Sequence, residues 1–223
     1  MNKQAIIISG GTISEAFAMH VLDELHADHI IGVDSGLNFI YHNHIYPTHI
    51  VGDFDSVEPE VIAYYKSKVG IPIREFNPVK DATDTEIALR LAIELGVDKV
   101  WLLGATGTRL DHVMSNIQIL KIALDTGVEA YLLDECNRIS VWEKEICLKK
   151  QECFGKYFSL FPLGEAVPDV TIEGAKYPVS HQSVSPYESR FVSNEVEGDE
   201  VKITFPEGVL VLMETRDGKE KNA

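Results

Sequence analysis

Cysteine is scarce in this chain: three residues in 223, at positions 136, 147 and 153. The number is odd and the spacing fits no metal-ligand pattern, which excludes a disulfide framework and a zinc ribbon. A reduced, cytoplasmic compartment is the simplest expectation. Basic residues are also few. Lys and Arg total 20 against 35 Asp and Glu, a formal net charge of −15. Such a chain lacks the basic face that a nucleic-acid binder needs and is repelled by anionic lipid. No apolar run approaches the ~18 residues that span a bilayer. The N-terminus offers only a short apolar stretch before Gly10-Gly11, which reads as a buried strand and not a secretory signal. There is no internal repeat and no low-complexity tract. The hydrophobic share of 45% and charged share of 25% are those of an ordinary globular protein.

What is present is an alternation. Residues 4–9, 29–33, 48–51, 71–76, 100–103 and 128–133 are short apolar runs of the kind buried on both faces of a parallel sheet. Between them lie helical patterns over 14–25, 59–69, 83–95 and 110–124, with Pro59 at a helix start and Thr83-x-x-Glu86 as a capping box. Strands alternating with helices predict βαβ units: an α/β fold with a mostly parallel, Rossmann-like sheet flanked by helices. Beyond about residue 137 the helical period disappears. Short runs at 139–142, 145–148, 156–160, 170–172, 201–205 and 209–213 predict a smaller all-β sandwich. The expected domains are therefore 1–135 and 136–215, with 216–223 as a solvated tail.

Ligands of open α/β sheets bind beyond the carboxyl ends of the strands. Six aspartates from four segments fall at those ends: Asp34, Asp53, Asp55, Asp81, Asp84 and Asp111. Carboxylates at close range raise one another's pKa unless a cation neutralises them. Mg²⁺ suits oxygen ligands and keeps positions for substrate phosphates. In extended backbone Asp53 and Asp55 would point the same way with Phe54 turned inward; the alternative is a turn in which they bond local N–H groups. Asp81 and Asp84 precede a helix that Thr83 already caps, so one of them is surplus to capping. Gly104–Thr108 runs from strand to helix, a setting in which free amides bind phosphate. Arg109 adds a planar fork for phosphate oxygens and Lys80 a second cation. No Walker A or Gly-x-Gly-x-x-Gly pattern is present, and Gly10-Gly11-Thr12 is the weaker candidate. His112 and Asn116 share one side of a helix.

Three segments, Gly52-Asp53-Phe54-Asp55-Ser56, Lys80-Asp81-Ala82-Thr83-Asp84-Thr85-Glu86 and Gly107-Thr108-Arg109-Leu110-Asp111-His112, in this order and spacing resemble the thiamine pyrophosphokinase family. Asp34-Ser35-Gly36 is similar to that family's early acidic segment, with Ser where Gly is expected at 35. Gly174–Val179 and Ser193-Asn194-Glu195 are similar to its thiamine-binding segments. The resemblance implies an α/β catalytic domain followed by a β-sandwich, in a homodimer with active sites where subunits meet. It implies ATP and thiamine as substrates, AMP and thiamine diphosphate as products, and Mg²⁺ as cofactor. By matched position, Asp53, Asp55 and Asp84 become metal ligands. Asp81 and Asp111 complete the catalytic set. Asp34, Lys80, Gly107, Thr108, Arg109 and His112 fall to the nucleotide, and Tyr177, Ser193 and Asn194 to thiamine. Asp84 or Asp55 is the expected proton acceptor. Two other readings stay open: a Mg²⁺-dependent phosphotransferase with another small alcohol as acceptor, and a nucleotide- or thiamine-sensing binding protein.

Overall fold

A computed structural model describes residues 2–68, 70–75 and 82–218. The chain divides into two compact units, Met1–Asp134 and Glu135–Ala223.

The first unit runs β1 (Gln4–Ile8), α1 (Glu15–Leu25), β2 (His29–Val33), α2 (Gly36–His42), β3 (His49–Gly52), α3 (Pro59–Ser67), β4 (Ile73–Glu75), α4 (Asp84–Glu94), β5 (Lys99–Leu103), α5 (Leu110–Asp125) and β6 (Glu129–Leu133). All five strand pairings are parallel, giving the order β6-β5-β1-β2-β3-β4. Ile6, Ile7 and Ile8 are each at most 1% exposed, so β1 is buried on both faces, as its unbroken apolar run requires. The chain builds outward from β1 through β4, then returns to β5 on the other side of β1. That reversal opens a crevice beyond the carboxyl ends of β1 and β5.

Helix α4 starts where the capping signal lies: Thr83 Oγ1 accepts from the Glu86 N–H at 3.2 Å. The Glu86 carboxylate does not reach back to complete a box with it; its Oε1 accepts from Arg90 Nε at 2.9 Å. Gly96 and Gly127, at φ +72° and +77°, end α4 and α5 in the left-handed region. The seven residues of α2 were not predicted. Two turns are too few to show a 3.6-residue period, and α2 forms by burying Leu37 and Ile40.

The second unit contains β7 (Asn137–Trp142), β8 (Ile146–Lys149), β9 (Tyr157–Pro162), β10 (Val167–Glu173), β11 (Val179–Val184), β12 (Asn194–Glu195), β13 (Glu200–Thr204) and β14 (Leu210–Thr215). Two antiparallel sheets, β12-β9-β14-β7 and β11-β10-β13-β8, share one core. Phe158, Leu160, Leu210 and Leu212 from the first meet Ile146, Ile172, Val201 and Ile203 from the second, which makes the unit a sandwich. Each such side chain contributes about 1.5–3 kcal/mol by leaving water. Glu214 is 3% exposed. Its carboxylate accepts from Arg138 Nη2 at 2.6 Å, Arg138 Nε at 2.7 Å and the Phe154 N–H at 3.1 Å. Sequence pattern did not find β11, whose largely exposed Val179–Val184 shows no apolar alternation, nor β12, which is two residues long. Arg216, assigned to the tail from sequence, is held: its N–H donates to Cys136 O at 3.0 Å and its Nε to Glu135 O at 2.8 Å.

The three cysteines are free thiols. Among the described residues no helix is long and apolar enough to cross a membrane.

Candidate active site

A cavity of about 650 Å³ opens at the carboxyl edge of the parallel sheet. Its wall comes from the turns after β1, β2 and β5 and from the start of α4. Every lining residue belongs to the first unit.

Asp34 is the focus of its charge. It follows β2 in a left-handed conformation, φ +43°, which a carboxylate side chain tolerates better than most. One oxygen, Oδ1, is buried with no hydrogen-bond partner. Burial pushes the Asp34 carboxyl up to about 7, and the charge of Asp84, a hydrogen bond shared with Asp84, and the charge of Asp53 push the same way. The Phe54 N–H opposes them weakly. Carboxylates from the ends of β2 and β3 and from the tip of α4 therefore crowd together. Gly52 permits this: with φ +152°, a Cβ there would stand 2.1 Å from Asp34 Oδ1.

The stretch after β3 is not extended. Phe54 takes φ +64° and buries its ring, while the Asp55 N–H donates to Asp53 Oδ1 at 3.2 Å. This is an Asx turn, and the expectation that Asp53 and Asp55 point the same way from extended backbone is corrected. The buried Phe54 ring fixes the turn, keeping Asp53 within electrostatic range of Asp34 and leaving Asp55 exposed. Asp111 is also apart from the cluster. Arg109 Nη2 and Nε reach its two oxygens at 2.6 and 3.2 Å, and these bonds hold the Asp111 carboxyl down at about 2. Lys80 and Asp81 lie outside the described residues.

Opposite the carboxylates stands the turn from β5 into α5. Gly107, Thr108, Arg109 and His112 line the cavity together with Asp34 and Asp84. Gly10-Gly11-Thr12, the weaker motif by sequence, braces this turn: the Gly11 N–H donates to Gly104 O and the Thr12 N–H to Thr106 O, both at 2.7 Å. A Cβ on Gly11 would stand 2.1 Å from Thr106 O and 2.5 Å from Gly104 O, so only glycine fits. Ser9, Thr85 and Asn116 also line the cavity and were not assigned from sequence. The Ser9 and Thr85 hydroxyls meet at 3.0 Å across 76 residues, a pairing with no local signal.

In the second unit Asn194 is 6% exposed and grips Tyr177 from both sides. Its Oδ1 accepts from the Tyr177 N–H at 3.0 Å and its Nδ2 donates to Tyr177 O at 2.9 Å. Oδ1 also accepts from the Glu195 N–H at 2.9 Å, which leaves the amide one free N–H. The Tyr177 ring is 59% exposed with Lys176 Nζ 5.6 Å from its centroid. Ser193 is exposed at φ +59°, its N–H donating to Ser159 Oγ at 2.9 Å.

Residues 24–132 match the model of the thiamin pyrophosphokinase catalytic domain, and residues 143–210 that of the thiamin pyrophosphokinase vitamin B1 binding domain. A thiamine pyrophosphokinase from Bacillus subtilis is 30% identical over 188 residues, 84% of this chain and 87% of that protein. The chain belongs to the thiamine pyrophosphokinase family. Crystal structures within that family agree. The Bacillus subtilis thiamine pyrophosphokinase superposes with a TM-score of 0.85 at 28% identity, covering 97% of this chain and all (100%) of that one. The Geobacillus thermodenitrificans thiamin pyrophosphokinase gives 0.80 at 27%, covering 97% and 99%. The catalytic-domain match contains Asp34, Asp53, Asp84 and the β5–α5 turn, and the vitamin-binding match contains Tyr177, Ser193 and Asn194.

Proposed function

We infer that the two units divide the work of moving the pyrophosphoryl group of ATP onto the hydroxyl of thiamine, giving AMP and thiamine diphosphate. The observation that carries this reading is the crowding of Asp34, Asp53 and Asp84 at the edge of a cavity whose other wall is a Gly/Thr-rich turn. A carboxylate cluster beside a polyanion site is tolerable only with a cation between them.

The residues present fit Mg²⁺: their side-chain donors are oxygens, and Asp34 Oδ1, buried without a hydrogen-bond partner, lies within electrostatic range of Asp53 and Asp84. Among the described residues no three acidic, His or Cys side chains are grouped so as to hold a metal ion by themselves. Mg²⁺ asks for less, because one or two carboxylates with waters and substrate phosphates complete its shell. Asp53, Asp55 and Asp84 are the proposed ligands, and Asp81 and Asp111 the other proposed catalytic carboxylates. When bound, the ion would neutralise phosphate charge and supply Lewis-acid chemistry at this edge.

The protein's own groups supply position and charge. The β5–α5 turn offers backbone amides from residues 105–108 to the phosphates at the start of α5. Lys80 and Arg109 supply the positive charge and His112 closes the same wall. Arg109 pairs with Asp111 here; turning its fork to phosphate releases Asp111, so the two residues act as a pair. Tyr177 presents an aromatic face to the cationic thiazolium, Asn194 holds the Tyr177 backbone, and Ser193 flanks it. The thiamine hydroxyl attacks the β-phosphorus, AMP leaves, and Asp84 or Asp55 accepts the hydroxyl proton. In-line phosphoryl transfer needs little else from a protein. The proposed assembly is a homodimer with sites between subunits, working in the cytoplasm.

The deciding experiment is AMP release with ATP, Mg²⁺ and thiamine, with omission of each component and replacement of thiamine by other small alcohols. Thiamine-dependent AMP is expected. AMP release with another alcohol alone assigns a different acceptor, and ligand binding without turnover assigns a sensor. Sedimentation at micromolar concentration tests the dimer.

A further inference from the structure

We propose that Asn116 is a positioning residue that aims the backbone amides of the β5–α5 turn at the nucleotide phosphates. This rests on the reading of that turn as the phosphate site. Asn116 lies in α5, is 5% exposed, and Nδ2 donates to Ala105 O at 2.7 Å. The carbonyls on either side are held too: Gly104 O by the Gly11 N–H and Thr106 O by the Thr12 N–H. Three successive carbonyls are thus each held by a hydrogen-bond donor.

A trans peptide is planar, with its C=O and N–H pointing in opposite directions. Fixing the carbonyls of residues 104, 105 and 106 therefore turns the amides of Ala105, Thr106 and Gly107 the other way. Among the described residues those three amides have no backbone acceptor, and all three residues line the cavity. Two of the anchors are main-chain groups. The middle one depends on a side chain, and the requirement is narrow. A leucine of similar volume would leave Ala105 O buried without a donor, and an aspartate would set an acceptor against it. From sequence, residues 112 and 116 share only a helix side; the hydrogen bond from Asn116 back to Ala105, eleven residues earlier, belongs to the tertiary structure.

The test compares the whole protein with its Asn116→Leu and Asn116→Ser variants by titration calorimetry, with Mg²⁺·ATP and with adenosine as separate probes. A positioning role for the phosphate amides predicts that Asn116→Leu weakens ATP at least ~10-fold, about 1.4 kcal/mol, with adenosine within ~2-fold. Asn116→Ser, which leaves room for a water to donate to Ala105 O, is expected to recover part of the ATP loss. The KM for thiamine should stay within ~2-fold of wild type while the KM for ATP rises. ATP affinity within ~2-fold of wild type in folded Asn116→Leu overturns the proposal, as does equal loss of ATP and adenosine. Should Asn116→Leu fail to fold, Asn116→Asp, which sets an acceptor against Ala105 O, is judged by the same two criteria. Wild type that binds no ATP would instead remove the phosphate-site reading itself, and the proposal with it.

Discussion

Replacing Asp34 by Asn should make the metal-free protein more stable, although it removes a residue at the heart of the site. The carboxyl ionises at about 7 in the folded chain against a reference of 3.8, chiefly because it is buried and secondly because Asp84 and Asp53 stand close. At 1.36 kcal/mol per unit of pKa, that difference is worth at most about 4 kcal/mol. Partial exposure and solvent screening reduce it to roughly 2 kcal/mol. The sign follows from linkage. Below pH 3.8 the group is protonated whether folded or unfolded and costs nothing. Between 3.8 and about 7 the unfolded chain releases its proton first, so stability falls as pH rises. Above about 7 the full cost is present. Asparagine keeps the shape, tolerates φ +43°, accepts from the Phe54 N–H and offers Asp84 a donor. Thermal unfolding with a chelator at pH 8 should therefore show Asp34→Asn melting roughly 4–8 °C above wild type, from ~2–4 °C per kcal/mol for a chain of this size. The gap should close as pH falls toward 4. Added Mg²⁺ should raise the melting temperature of wild type more than that of the variant. A metal-free Asp34→Asn that melts below wild type at pH 8 would refute the claim that uncompensated charge crowds this edge.

Four further outcomes are expected. Asp53→Asn and Asp84→Asn should each lower kcat/KM at least ~100-fold, about 2.7 kcal/mol, with an unchanged circular dichroism spectrum, since each removes charge that a bound cation needs. Gly11→Ala should abolish ATP binding in calorimetry, because its Cβ meets two backbone carbonyls that cannot move aside. Tyr177→Ala should raise the KM for thiamine with little change in that for ATP, measured by steady-state kinetics. Arg138→Met strands the buried Glu214 carboxylate and should destabilise the second unit by about 3–5 kcal/mol in urea unfolding, without altering ATP affinity of the first.

Local signals carried much of this protein. Unbroken apolar runs marked the parallel strands, Thr83 marked the start of α4, and aspartates after strands marked the rim, because each depends on neighbours a few residues away. What local pattern could not decide was direction. Whether Asp53 and Asp55 act together turned on Phe54, whose buried ring imposes a left-handed turn that no period reveals. Whether Asp111 joins the cluster turned on Arg109, two residues away and able to point either way. Gly10-Gly11-Thr12 looked weak alone because its partners are the carbonyls of Gly104 and Thr106, brought alongside only by the pairing of β1 with β5. The sequence by itself determined which residue types reach the carboxyl edge; the tertiary structure alone decided which of them face one another, since burial and contact across 50 to 100 residues belong to the folded sheet and not to any stretch of chain.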